Sequence, residues 1–117
     1  MDAGNAAPTE TFTFTTCLRP GKEHDYERFH RAVPAELDAA MRAAGVLGWL
    51  IRRQGTTLTH EVTARSRARM NLILESDQVN RAWQLEVAPF LDTGRSAPPP
   101  DGGGPGALVW DLSWPTR

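Results

Sequence analysis

An α+β fold is predicted for this chain, with the order β-α-β-β-α-β and both helices covering one face of a four-stranded antiparallel sheet. Three observations carry the prediction. Thr and aromatic residues alternate with period two near the start of the chain, Phe29, Val33, Leu37 and Met41 then recur at four-residue steps, and two short β-type runs flank Gln54-Gly55-Thr56.

Residues 1–10 are small, polar and Pro-containing, and read as a flexible N-terminal tail that buries too little to order itself. A single domain is expected over 11–114, with 115–117 as a C-terminal tail. Its first strand is 11–18, stopped by Arg19-Pro20-Gly21. The first helix covers about 23–44. Pro34 inside it lacks a backbone N–H and crowds the preceding turn, which predicts a kink or break near 31–33, and Gly45 closes it as a C-terminal cap. Runs 48–53 and 57–63 form a hairpin. A second helical unit follows, in two pieces at 67–74 and 79–91, separated by the polar break Glu75-Ser76-Asp77-Gln78. Residues 93–106 are nearly all Pro, Gly and small polar types and read as a surface loop, after which 107–114 forms the last strand, ended by Pro115. No internal repeat is visible.

This order is the split pattern of ferredoxin-like folds. The sheet face away from the helices then needs a cover, because Phe12 and Phe14 or their Thr neighbours, with Trp49, Ile51 and Trp110, would leave an apolar surface in water. A homodimer of the dimeric α/β-barrel kind is the expected remedy.

Of the 117 residues 40% are hydrophobic and 23% charged, a balance that supports one buried core and argues against wholesale disorder. No apolar run approaches the roughly 20 residues that span a bilayer, and the start has neither a basic leader nor an apolar stretch, so no membrane association and a cytoplasmic location are expected. A formal net charge of -1 provides no electrostatic pull toward nucleic acid or an anionic surface. The densest basic cluster, Arg65, Arg67 and Arg69, has no Gly-rich cradle or interleaved aromatics and reads as a solvated helix start. Cys17 is the only cysteine, and no His/Cys spacing matches a metal site, so neither metal nor cofactor is expected.

Chemistry is sought first at Tyr26 and His30. Four residues apart on a helix, they share one face, with Phe29 and Val33 directed elsewhere. A histidine exchanges protons near neutral pH, and a tyrosine hydroxyl can orient a substrate oxygen or assist the transfer. The plainer alternative is a surface histidine beside a packed tyrosine. His60 shares a sheet face with Leu58 and Val62, and is either a pocket residue or a satisfied core histidine. His24, at the helix start, reads as a capping or exposed residue. Trp49, Trp83, Trp110 and Trp114 offer indole faces on which sugars or polycyclic ligands stack, with core packing as the alternative. Trp49 and Trp83 are placed to reach a cavity between helices and sheet.

Several segments in sequence order resemble the L-rhamnose mutarotase family: Tyr26-x-x-x-His30 followed by Glu36-Leu37, Gly45-x-x-x-Trp49, the run 79–91 that holds Trp83 and ends Ala88-Pro89-Phe90-Leu91, and the last strand around Leu108-Val109-Trp110-Asp111-Leu112. The resemblance spans nearly the whole domain. It implies a small dimeric ferredoxin-like protein that interconverts sugar anomers. It places His30 at the proton donor, Tyr26 and Trp49 at contacts to sugar hydroxyls, and Trp83 at the first member of a tryptophan pair that touches substrate. Gln84 stands where that pair has its second tryptophan, and the Trp-Pro that follows the histidine in the family is displaced into Val33-Pro34-Ala35.

The expectation is a cofactor-free isomerase with a small-molecule substrate, using His30 and Tyr26 as acid/base groups and Trp49, Trp83, Gln84 and His60 as substrate contacts. Two alternatives stay open. One is a cofactor-free cyclase, dehydratase or monooxygenase of specialised metabolism with a polycyclic or polyketide-like substrate, which rests on fold analogy alone. The other is a non-catalytic dimeric ligand-binding module.

Overall fold

The computed structural model describes residues 8–94 and 106–117. Eight elements follow in order: β1 (Glu10–Cys17), α1 (Glu23–Phe29), α2 (Ala35–Ala43), β2 (Val46–Gln54), β3 (Thr57–Ala64), α3 (Arg67–Ser76), α4 (Gln78–Val87) and β4 (Ala107–Asp111), with a short 3-10 helix at Ala88–Phe90 after α4. The expected tail at 1–10 and loop at 93–106 fall largely outside the described residues, and β1 already begins at Glu10.

The helix read across 23–44 is two helices. Pro34 cannot donate to a preceding carbonyl and disfavours helical geometry at Val33, so α1 stops at Phe29 with His30 as its C-cap, and α2 restarts with Pro34 as its N-cap. Gly45 then turns the chain at φ 92°, a region open to glycine at little cost. The second helical unit breaks at Asp77, whose extended backbone ends α3 and whose side chain accepts from Asn80 N at 2.9 Å to start α4.

The four strands form one antiparallel sheet in the order β1-β3-β2-β4. Register aligns Phe12 with Val62 and Trp49, and Phe14 with His60, Ile51 and Trp110. Side chains directly opposite one another share a face. All of these residues therefore lie on the side covered by the helices, where Ile51, His60, Val62 and Trp110 are buried.

This corrects the expected apolar outer face. The residues invoked for it, Phe12, Phe14, Trp49, Ile51 and Trp110, point into the core. The opposite face carries instead the rows Thr13-Glu61-Leu50-Asp111 and Thr15-Thr59-Arg52-Leu108. The last strand is also shorter than expected. Asp111 accepts from Ser113 N through its side chain and from Trp114 N through its carbonyl, each at 2.9 Å, turning the chain out of the sheet.

Candidate functional site

A cavity of about 150 Å³ lies between the helix layer and the sheet. Tyr26 and His30 line it from α1 and its cap, Leu37 and Met41 from α2, and Asn80, Trp83, Gln84 and Val87 from α4. Phe14, Thr16, Trp49, Ile51, His60 and Trp110 form the sheet wall. Drug-sized ligands occupy sites of roughly 300–1,000 Å³, so this space suits one small ring.

His30 is held by its own helix end. The Tyr26 carbonyl accepts both the His30 backbone N–H at 3.0 Å and the His30 Nδ1–H at 3.1 Å. A carbonyl can only accept, so Nδ1 carries the proton and Nε2 keeps a lone pair. Nε2 has no protein partner among the described residues. Burial pushes the His30 pKa down to about 4. The bond to the Tyr26 carbonyl opposes that shift and the Arg117 charge adds to it. At neutral pH the ring is thus an uncharged acceptor.

The Tyr26 ring stacks on His30 with centroids 4.0 Å apart. Burial holds its phenol above the ordinary tyrosine range, so the hydroxyl keeps its proton, and it makes no hydrogen bond to another described residue. The site therefore places an uncharged proton acceptor beside an uncharged proton donor.

Aromatic packing fixes the rest of the helix wall. Phe29 stacks on Trp83 at 4.8 Å and meets His30 edge-on at 5.8 Å, while Trp83 meets His30 edge-on at 5.2 Å. The guanidinium of Arg117 lies 5.4 Å from the Phe29 ring centre, and its backbone N–H donates to Val33 O at 2.9 Å.

On the sheet wall, His60 stacks on Phe14 at 4.4 Å, receives the Trp49 Nε1–H on Nδ1 at 3.2 Å, and bonds Thr16 Oγ1 through Nε2 at 3.1 Å. Burial, and then the nearby His30, push its pKa down to about 3. Trp110 Nε1 is buried with no hydrogen-bond partner among the described residues. A buried indole N–H costs free energy when unpaired, and an oxygen bound in the cavity is the kind of acceptor it lacks.

All six residues singled out as site candidates, Tyr26, His30, Trp49, His60, Trp83 and Gln84, line this one cavity. Val33, read as directed elsewhere, lines the cavity, because α1 ends at Phe29 and the helical register that separated Val33 from His30 does not continue, whereas Phe29 stands outside the lining and packs on His30 and Trp83. His24 is exposed, and Trp114 packs at the core edge outside the cavity lining. Thr16, Asn80 and Met41 were not singled out from sequence. For Thr16 a signal existed, since it has the same parity as Phe12 and Phe14 on β1. Among the described residues no group of three or more His, Cys, Asp or Glu is placed to hold a metal ion, and no helix is long and apolar enough to cross a membrane.

Comparison with known proteins gives a concordant result. A family model described as L-rhamnose mutarotase matches residues 11–111. The L-rhamnose mutarotase of Burkholderia orbicola (strain MC0-3) is 34% identical over 94 residues, 80% of this chain and 86% of that protein. The L-rhamnose mutarotase of Burkholderia ambifaria (strain MC40-6) is 31% identical over 91 residues, 77% and 88% of the two chains. That of Verminephrobacter eiseniae (strain EF01-2) is 34% identical over 92 residues, 78% and 87%. No solved structure gives a significant match.

Proposed function

Because this chain belongs to the L-rhamnose mutarotase family, we propose that it is an isomerase that interconverts the anomers of L-rhamnose or a closely related deoxysugar, with His30 and Tyr26 as its acid/base pair. The observation that supports this most directly is the unprotonated Nε2 of His30, a residue that lines a ring-sized cavity together with Tyr26, whose phenol keeps its proton. Nε2 takes the proton of the anomeric hydroxyl, the exocyclic C–O becomes a carbonyl, and the bond from the anomeric carbon to the ring oxygen breaks. The ring oxygen receives a proton from the Tyr26 hydroxyl, which leaves His30 as an imidazolium and Tyr26 as a phenolate, ready to exchange the same protons when the ring closes. Rotation about the first carbon–carbon bond and closure by the reverse steps yield the other anomer, with no net change in protons. Both groups work from their neutral forms, so neither needs a charged partner in the cavity.

Trp83 and Trp49 supply apolar faces for the ring carbons, and Gln84 a polar contact at the cavity edge. The reading carries two further expectations. One is a homodimer, supported by the sheet face of Thr11, Thr13, Thr15, Leu50, Arg52 and Leu108, which no described segment covers. Light scattering that finds only monomer removes this part. The other is a cytoplasmic setting, consistent with a single buried thiol, Cys17.

Saturation-transfer NMR on L-rhamnose tests the activity. Added protein is expected to accelerate exchange between the α and β resonances, and His30→Ala to remove the acceleration. Exchange equal to that in buffer, with folded wild-type protein present, overturns the assignment.

A further inference from the structure

Resting on the sugar reading above, we propose that Thr16 is a specificity-determining residue whose hydroxyl proton is aimed into the cavity at an oxygen of the bound sugar, and that His60 and Trp49 are the positioning residues that set this direction. The argument begins at Trp49, whose indole nitrogen can donate but never accept. Its Nε1–H lies 3.2 Å from His60 Nδ1, so that ring atom must offer a lone pair. A neutral imidazole with a bare Nδ1 carries its proton on Nε2. Nε2 lies 3.1 Å from Thr16 Oγ1, and the hydroxyl oxygen is therefore the acceptor of that bond.

The opposite direction fails. Were Thr16 to donate to Nε2, the His60 proton would sit on Nδ1 and face the Trp49 N–H, two donors head to head. An imidazolium would meet the same clash. The relay thus has one direction, Trp49 to His60 to Thr16. It leaves the hydroxyl proton of Thr16 as the free end, and Thr16 makes no other side-chain hydrogen bond among the described residues. Thr16 lines the cavity on the wall opposite the helix end that carries His30.

The two walls therefore present opposite chemistry, an acceptor at His30 Nε2 and a donor at Thr16. A pyranose satisfies both, with a hydroxyl that gives its proton to His30 and another oxygen that takes the proton of Thr16. A hydrocarbon ring of equal size satisfies neither. The stack of Phe14 on His60 at 4.4 Å holds the imidazole plane so that both of its bonds persist.

The experiment compares wild type, Thr16→Val, His60→Phe and the double variant, with L-rhamnose as the probe. Dissociation constants come from NMR titration and anomer exchange rates from saturation transfer. Thr16→Val keeps the shape and removes the donor. It is expected to weaken binding and raise KM by about 3- to 10-fold, the worth of one ordinary hydrogen bond, with kcat within about 2-fold of wild type. His60→Phe keeps the stack on Phe14 and removes the relay. It is expected to give the same loss, and the double variant no more than either alone, because the two residues act as one unit. His60→Gln, whose amide offers an acceptor to Trp49 and a donor to Thr16, is expected to restore part of the affinity, which a merely space-filling role would not explain.

Nitrogen-15 shifts of the His60 ring provide a readout independent of any ligand, with the Nε2–H tautomer expected. The Nδ1–H tautomer overturns the relay, as does Thr16→Val with wild-type affinity or single losses that add in the double variant. If the wild type binds L-rhamnose without accelerating exchange, the activity assignment fails while the affinity series still decides the role of Thr16. If it does not bind L-rhamnose at all, both are overturned.

Discussion

Lowering the pH from 7 to 4.5 should destabilise this protein by about 5 kcal/mol, through His30 and His60 alone. Both rings are buried and uncharged, with pKa values pushed down to about 4 and about 3, whereas an unfolded chain titrates its histidines near 6.5. Below about pH 6.5 the unfolded state binds protons that the folded state refuses, so stability falls as pH falls and is restored as it rises. Evaluating that linkage at pH 7 and 4.5 gives roughly 2 to 3 kcal/mol for each histidine. Their sum is a large share of the roughly 5–15 kcal/mol that holds a domain of this size together. Urea unfolding followed by tryptophan fluorescence across this range measures the effect as a shift in midpoint at constant slope. His60→Leu removes one of the two titrating groups and should halve the pH dependence whatever it does to stability at pH 7. A wild-type curve that stays flat between pH 7 and 4.5, or a His60→Leu slope equal to wild type, would refute the claim that both rings are held neutral by burial.

Three further outcomes are expected. Tyr26→Phe should lower anomer exchange about 10²-fold or more by removing a proton-bearing group, while thermal unfolding stays at or above the wild-type temperature, because the lost hydroxyl has no hydrogen-bond partner among the described residues; an unchanged exchange rate removes Tyr26 from the mechanism. Asp77→Ala removes the side chain that caps α4 and should cost about 1 kcal/mol in a urea titration, with no effect on exchange if the cavity is undisturbed. Leu37→Ala, at a buried position lining the cavity, should cost about 2–5 kcal/mol, and a loss under 1 kcal/mol would mean that α2 does not pack there as described.

What could be read from sequence was what depends on near neighbours. The Tyr26/His30 pairing follows from a four-residue step, and the break at Pro34 from one missing N–H, so both are legible in the sequence. The direction in which Phe14, Trp49 and Trp110 point was not. Alternation says that Phe12 and Phe14 share a face, but only the register with Val62 and His60 on β3 says which face. The same gap hid Thr16. Its partners lie 44 residues away at His60 and, through that ring, at Trp49, and no local pattern encodes a hydrogen bond between strands. Val33 was misdirected for the opposite reason, since helical spacing was extended past the point where the helix stops.

The interruption at Pro34 has a consequence for how such a site can change over time. The hydrogen bond that sets the His30 tautomer is made within five residues, to the backbone oxygen of Tyr26, and involves neither the opposite sheet nor α4. The proton-handling group and the surfaces that recognise a ligand are thus separate inheritances. Substitutions at Gln84, Thr16 or His60 can redraw what the cavity accepts while the reacting nitrogen keeps its heading, so lineages built on this scaffold can explore new substrates without first losing their chemistry.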